Sequence, residues 1–110
     1  MKFLTIGKAK EANAVPPAAL LKILEATLAY QKQQKKAGKL LENYYVPGWG
    51  RSIAITENDS AEEFLEMLSG NPVYGLMDFE VYPLADMSES NKILVDSVKK
   101  AAKMMPGSPL

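Results

Sequence analysis

In the run GLMDFEVYP, residues 75–83, Asp78 and Glu80 alternate with Met77, Phe79 and Val81. A β-strand turns successive side chains to opposite faces, so the two acids and Tyr82 share one face and the apolar set takes the other. Left in water, such acids are ordinary surface charge. Closed into a hollow, they lose solvation, their pKa values rise, and they become a base and an acid suited to proton transfer. The spacing alone leaves both readings open.

A second cluster stands at NYYVPGWGR, residues 43–51. It gathers three aromatic residues, two glycines, a proline and an arginine at a strand–turn–strand corner. One reading is a hairpin whose glycines supply the turn and whose aromatics pin the strand register. The other is a pocket rim, with Arg51 pairing a substrate carboxylate and Trp49 walling an apolar ligand.

The chain has no cysteine and no histidine. Thiolate nucleophiles, disulfides and the commonest metal ligand are therefore all missing. Acid–base chemistry falls to Asp, Glu, Lys or Tyr, and a zinc or haem enzyme is not expected. Thirteen basic and thirteen acidic residues cancel, so no overall field draws the protein to nucleic acid or an anionic membrane. The basic run KQQKKAGK at 32–39 reads as a solvated helix end. No phosphate loop, dinucleotide fingerprint or metal-ligand cluster is written in the sequence. No apolar stretch reaches bilayer length, and MKFLTIGKAK is too short and too soon charged for a signal peptide, so a cytoplasmic protein is expected.

The elements that must position these clusters follow from periodicity. KFLTIGK, residues 2–8, reads as a strand. EANAVPP is a turn-prone link, and its prolines suit a helix start. From about Ala18 to Ala37, Leu20, Leu21, Leu24, Leu28 and Tyr30 follow a helical period, closed by Gly38. KLLENYYVPG and GRSIAIT are strands, the second with Ile53 and Ile55 opposite Ser52, Ala54 and Thr56. ENDSAEEFLEMLSG is a helix in which Ser60 and Glu63 stand at capping-box spacing, Ala61, Phe64, Leu65 and Leu68 form the stripe, and Gly70 ends it. A strand at 76–82 carries the two acids. SESNKILVDSVKKAAKMM follows as a third amphipathic helix with Ile93, Leu94, Val98, Ala101 and Met105 on one side. Met104 and Met105 suit packing against another helix or subunit, and PGSPL is a frayed end.

The order β-α-β-β-α-β is that of a ferredoxin-like α+β domain. Two helices on one face of a four-stranded antiparallel sheet leave the other face bare, and a second copy is the usual cover. The expected architecture is a ferredoxin-like domain over 1–86 forming a dimeric α+β barrel, with a C-terminal helical extension and tail over 87–110. The face carrying Asp78 and Glu80 is then the one closed over in the homo-oligomer.

The stretch YYVPGWGRSIAITENDSAEEFLEMLSGNPVYGLMDFEVYPL, residues 44–84, resembles the muconolactone delta-isomerase family. The matching residues are Gly48, Ser60, Glu62, Leu68, Pro72, Met77, Asp78, Phe79, Glu80, Val81 and Leu84. Trp49 stands where that family carries a histidine, Ser52 where it carries an asparagine, and the helix near 88–105 is an addition. The resemblance implies a ferredoxin-like subunit that dimerises through its sheets and shifts a proton in a lactone without metal or organic cofactor. It implies Asp78 or Glu80 as the base, with Arg51, Tyr44 or Tyr45 holding the lactone carboxylate and Trp49 and Ser52 shaping the substrate site. Three functions fit: a cofactor-free isomerase of a small carboxylated or lactone-type molecule, a non-catalytic small-molecule-binding or accessory protein, and a cofactor-independent monooxygenase. Fold alone does not choose among them.

Overall fold

The computed structural model describes residues 1–10, 15–105 and 107. Most of the expected link at 11–14, and the tail PGSPL apart from Gly107, lie outside the described residues. The elements are β1 (Lys2–Ala9), α1 (Pro17–Lys36), β2 (Leu40–Val46), β3 (Arg51–Glu57), α2 (Ala61–Ser69), a short 3-10 turn at Tyr74–Leu76, β4 (Met77–Leu84) and α3 (Met87–Met104). The strands form one antiparallel sheet in the order β2-β3-β1-β4. This is the split arrangement expected from the order of elements, with β1 and β3 at its centre.

Local signals explain where the elements stop. Pro17 opens α1, where a missing N–H costs nothing. Gly38, at φ 75°, ends it in a left-handed turn. There the Gly38 N–H reaches Lys35 O at 3.1 Å and the Lys39 N–H reaches Gln34 O at 3.0 Å, the two bonds of a Schellman cap. Ser60 caps α2 by accepting from the Glu63 N–H at 3.1 Å, while Glu63 reaches back to the Asp59 N–H at 3.0 Å. Gly70 ends α2 for a different reason from Gly38. Its φ is −76°, open to any residue, but an added Cβ would lie 3.1 Å from both Glu66 O and the Tyr30 hydroxyl. That hydroxyl donates to Met67 O at 2.6 Å and ties α1 to the end of α2.

The register sorts the sheet into two faces. Phe3, Thr5 and Gly7 of β1 stand beside Thr56, Ala54 and Ser52 of β3 and beside Pro83, Val81 and Phe79 of β4. This is the helix-covered face, where Phe3 stacks on Phe64 of α2 with ring centroids 4.4 Å apart. Phe3, Leu40 and Phe64 are the buried apolar core. On the opposite, open face Leu4 pairs with Ile55 and Tyr82, and Ile6 with Ile53 and Glu80.

One expectation about α1 is corrected. Tyr30 of the expected stripe turns inward, but its leucines do not face the sheet: Leu21 and Leu28 are 58% and 59% exposed, and Leu24 is exposed as well. The inward flank is Ile23, Thr27, Tyr30 and Gln34, with Thr27 buried. Thr27 tolerates this because its hydroxyl donates to Ile23 O at 2.8 Å. Likewise Phe64, Met67 and Leu68 are the inward residues of α2, while Ala61 and Leu65 are exposed. α3 leaves the sheet after β4 with all its residues exposed except Ser90 and Ala102, in a molecule 69 Å long and 30 Å wide.

Candidate functional site

The corner between β2 and β3 builds one wall. Gly50 adopts φ 67°, a left-handed conformation that L side chains rarely take, and its N–H reaches Val46 O at 2.8 Å. The tight turn holds Trp49 next to Arg51. The Arg51 guanidinium lies 5.2 Å from the indole centroid and donates to Trp49 O at 3.1 Å. Stacking and hydrogen bonding together fix a side chain that would otherwise swing freely.

The second wall is the pair of strands β1 and β4. Lys8 stands opposite Asp78 and Ile6 opposite Glu80 in the ladder. With Trp49 and Arg51 these side chains surround a hollow of about 150 Å³ on the open face. Tyr82, next along that face, donates to Glu80 Oε2 at 3.1 Å. The bond fixes the Glu80 carboxylate and raises the Tyr82 pKa above 10.0, since ionising the phenol would place two anions together.

The hollow thus brings together Asp78, Glu80, Arg51 and Trp49 from separate segments. Tyr44 shares the open face but sits one strand beyond, opposite Ile53, and does not line the hollow. Tyr45 and Ser52 are on the other side of the sheet. They pair with each other in the ladder, and Ser52 Oγ lies 2.8 Å from where a Gly7 Cβ would stand, on the helix-covered face. Adjacent strand residues cannot share a face, so Tyr44 and Tyr45 cannot both hold one ligand there. Lys8 and Ile6 join the site without having been singled out, and Tyr82, already placed on this face by the alternation, joins through its bond to Glu80. The signal for Lys8 was its place in step with Leu4 and Ile6, readable once β1 is set beside β4.

A second hollow, of about 90 Å³, lies between the sheet and the helices, lined in part by Thr5, Asn43, Thr56, Phe64 and Phe79. It exists because the central strands present small residues there: Thr5, Ala54 and Thr56. Thr5 and Thr56 are 6% and 3% exposed, and among the described residues neither hydroxyl has a hydrogen-bond partner. Among the described residues no carboxylate or cation lines this hollow. A void of about 150 Å³ takes a six-membered ring, and one water needs roughly 30 Å³. By size the open-face hollow suits a ring compound, and the inner one a smaller neutral fragment or water. Among the described residues no group of acids stands where it could hold a metal ion, and no helix is long and apolar enough to cross a membrane.

Comparison with known proteins bears on the fold and the family. No curated protein matches the sequence. Among solved structures the chain is similar to a muconolactone isomerase determined at 3.3 Å resolution, with 19% identity and a TM-score of 0.72, over 78% of this chain and 90% of that one. It is also similar to the 5-chloro-2-hydroxyhydroquinone dehydrochlorinase of Burkholderia phenoliruptrix AC1100, in complex with 2,5-dihydroxybenzoquinone. There the identity is 19% and the TM-score 0.62, over 81% of this chain and 98% of that one. At such identities the likeness establishes the shared fold. The family model for muconolactone delta-isomerase matches residues 1–90, which spans the whole sheet, both packed helices and every residue of the open-face hollow. The chain belongs to the muconolactone delta-isomerase family.

Proposed function

We propose that the open-face hollow is the site of a proton-shift reaction on a small carboxylated or lactone-type ring, completed when a second copy closes over the sheet. The observation that carries this is the convergence of Lys8, Arg51, Asp78 and Glu80 from β1, β3 and β4 on one hollow walled by Trp49. The surrounding face supports closure, because Leu4, Ile6, Ile53 and Ile55 are half-buried aliphatics and Tyr44 and Tyr82 are exposed rings. Covering them removes apolar surface from water and desolvates the two acids.

In the proposed reaction the carboxylate of Glu80, held by Tyr82, takes a proton from the ring carbon at the far end of the conjugated carbonyl system. The C–H electron pair moves into an enolate whose oxygen is stabilised by the cations of Lys8 and Arg51. The same carboxylic acid returns the proton to the carbon beside the ring carbonyl, so the double bond moves and nothing is added or lost. Asp78 is the alternative base, and the substrate carboxylate lies against Arg51 beside the indole.

Incubation with muconolactone in deuterium oxide, followed by proton NMR, tests the reading. Exchange and isomerisation by the wild type are expected, with Glu80→Gln or Asp78→Asn slowing them about 10²- to 10⁴-fold. Full activity in the doubly substituted chain would remove both acids from the reaction. The helix-side hollow, with its two unpaired hydroxyls, favours a second reading as a non-catalytic binding protein for a small neutral molecule. Saturable binding without proton exchange, abolished by Thr56→Val and untouched by Glu80→Gln, would support that reading instead.

A further inference from the structure

The family model ends at residue 90, inside α3, so most of this helix lies outside the matched region. Among the described residues its long apolar stripe is left largely uncovered: Met87, Leu94 and Val98 are 72%, 60% and 55% exposed. Isolated helices of this length are marginal in water, and most helical stability comes from burying an apolar face. A cap from Asp86, which accepts from the Glu89 N–H at 3.1 Å, and a Glu89–Lys92 ion pair at 3.2 Å are too little to replace that burial.

The sequence of the stripe indicates what covers it. Met87, Asn91, Leu94, Val98, Ala101 and Met105 follow one another at steps of four, three, four, three and four residues. That is the a/d seam of a coiled coil, in which Asn91 and Val98 take the a positions and Met87, Leu94 and Ala101 the d positions, with Met105 just beyond the helix end. All six charged residues of α3, Glu89, Lys92, Asp96, Lys99, Lys100 and Lys103, fall at b, c and f, away from the seam. The flanking e and g positions hold only Ser, Ala, Val and Met, while Ile93, grouped with the stripe by helical period, falls at c and stays outside the seam. Two copies of this basic helix can therefore meet without their lysines facing each other.

We propose that α3 pairs in parallel with α3 of a second copy of this chain along the seam centred on Leu94 and Val98. Asn91 sets the direction. In a parallel pair it faces its own counterpart, and the two amides satisfy each other; one Asn at an a position is the best-attested device for fixing register. In a fully overlapped antiparallel pair it faces Ala101 and is buried without a partner. Asn91 in the middle of the stripe, and the absence of Trp or Phe from α3, also argue against a helix lying in a membrane surface. The pairing is independent of the reaction proposed above.

The chain's lack of cysteine makes the test direct. Ala101→Cys places a thiol at a seam position, and Asp96→Cys places one on the outer face. In the full-length protein under mild oxidation, Ala101→Cys is expected to form a covalent dimer roughly tenfold or more faster than Asp96→Cys, because paired thiols sit at millimolar effective concentration. Leu94→Glu combined with Val98→Glu, placed in the Ala101→Cys chain, is expected to abolish that advantage. Equal rates for Ala101→Cys and Asp96→Cys would overturn the proposal. Faster cross-linking between mixed Asn91→Cys and Ala101→Cys chains than within either would overturn the parallel direction. Sedimentation of the protein with phosphatidylserine vesicles, lost in the double glutamate variant, together with no cross-linking advantage, would make α3 a membrane-surface helix and overturn the pairing.

Discussion

The Arg51 guanidinium lies 5.2 Å over the Trp49 indole while donating to the carbonyl oxygen of that same residue at 3.1 Å. The turn at Gly50 makes this geometry available, and it needs a planar cation. Arg51→Lys keeps the charge but loses the stack and the fork. If the proposed site is correct, affinity for a carboxylated ring compound should fall about tenfold, the equivalent of a cation–π contact of roughly 1–2 kcal/mol. Titration calorimetry of the two proteins checks this, and equal affinities would remove Arg51 from ligand binding.

Phe3 and Phe64 join the sheet to α2 through one stacked contact in a small core. Phe64→Ala should cost about 3–5 kcal/mol, which for a domain of this size is a large share of its stability. Urea unfolding followed by circular dichroism provides the measurement. A loss below about 1 kcal/mol would mean that α2 is held by other contacts.

Tyr30 and Gly70 are coupled. Tyr30→Phe leaves Met67 O without its donor at the helix end and should cost about 1 kcal/mol. Gly70→Ala should destabilise by crowding the same hydroxyl. Combined, the two changes should cost less than their sum, since removing the hydroxyl makes room for the new methyl group. Strict additivity in a double-mutant cycle would contradict the contact.

Glu63 gives the fold an acid-sensitive joint. Its Oε1 lies 2.7 Å from Lys39 Nζ, and that hydrogen bond, followed by the one from the Asp59 N–H, holds the carboxyl below its ordinary value of 4.5. As pH falls the unfolded chain takes up the proton first. The stabilisation is therefore complete above about pH 4.5 and is lost as pH drops through the lower folded-state value. Glu63→Gln should remove this part of the acid dependence. Melting temperatures of both proteins across that window test it, and parallel curves would refute it.

Thr56 buries a hydroxyl without a partner at the inner hollow. Thr56→Val should raise stability by about 1 kcal/mol, because an unpaired buried polar group carries an uncompensated desolvation cost. A drop in the urea midpoint would show that the hydroxyl is satisfied in solution.

How much of this was legible in the residues differs from face to face. The alternation in β4 put Asp78 and Glu80 opposite Met77 and Phe79, since a period of two needs no tertiary knowledge. The capping box at Ser60 was equally plain. Grouping Tyr45 and Ser52 with Arg51 failed because proximity in sequence was taken for proximity on a face. The leucines of α1 form a sound helical stripe, yet tertiary packing chose the flank carrying Thr27 and Tyr30, whose polar atoms find backbone partners. The inner hollow had a faint signal in Thr5, Ala54 and Thr56, small or polar residues at the centre of a sheet, where bulky apolar side chains usually pack. Small side chains announce missing volume only once their strands are known to be neighbours.

That missing volume has a mechanical consequence. Where its apolar lining keeps the hollow dry, a void of about 90 Å³ is removed when the chain unfolds and water fills the space. In molar terms this is on the order of 50 mL, within the range by which pressure unfolds small domains. Compression at constant temperature should thus open this protein from between its sheet and helices outward. A molecule that fills the void should harden it against hydrostatic load.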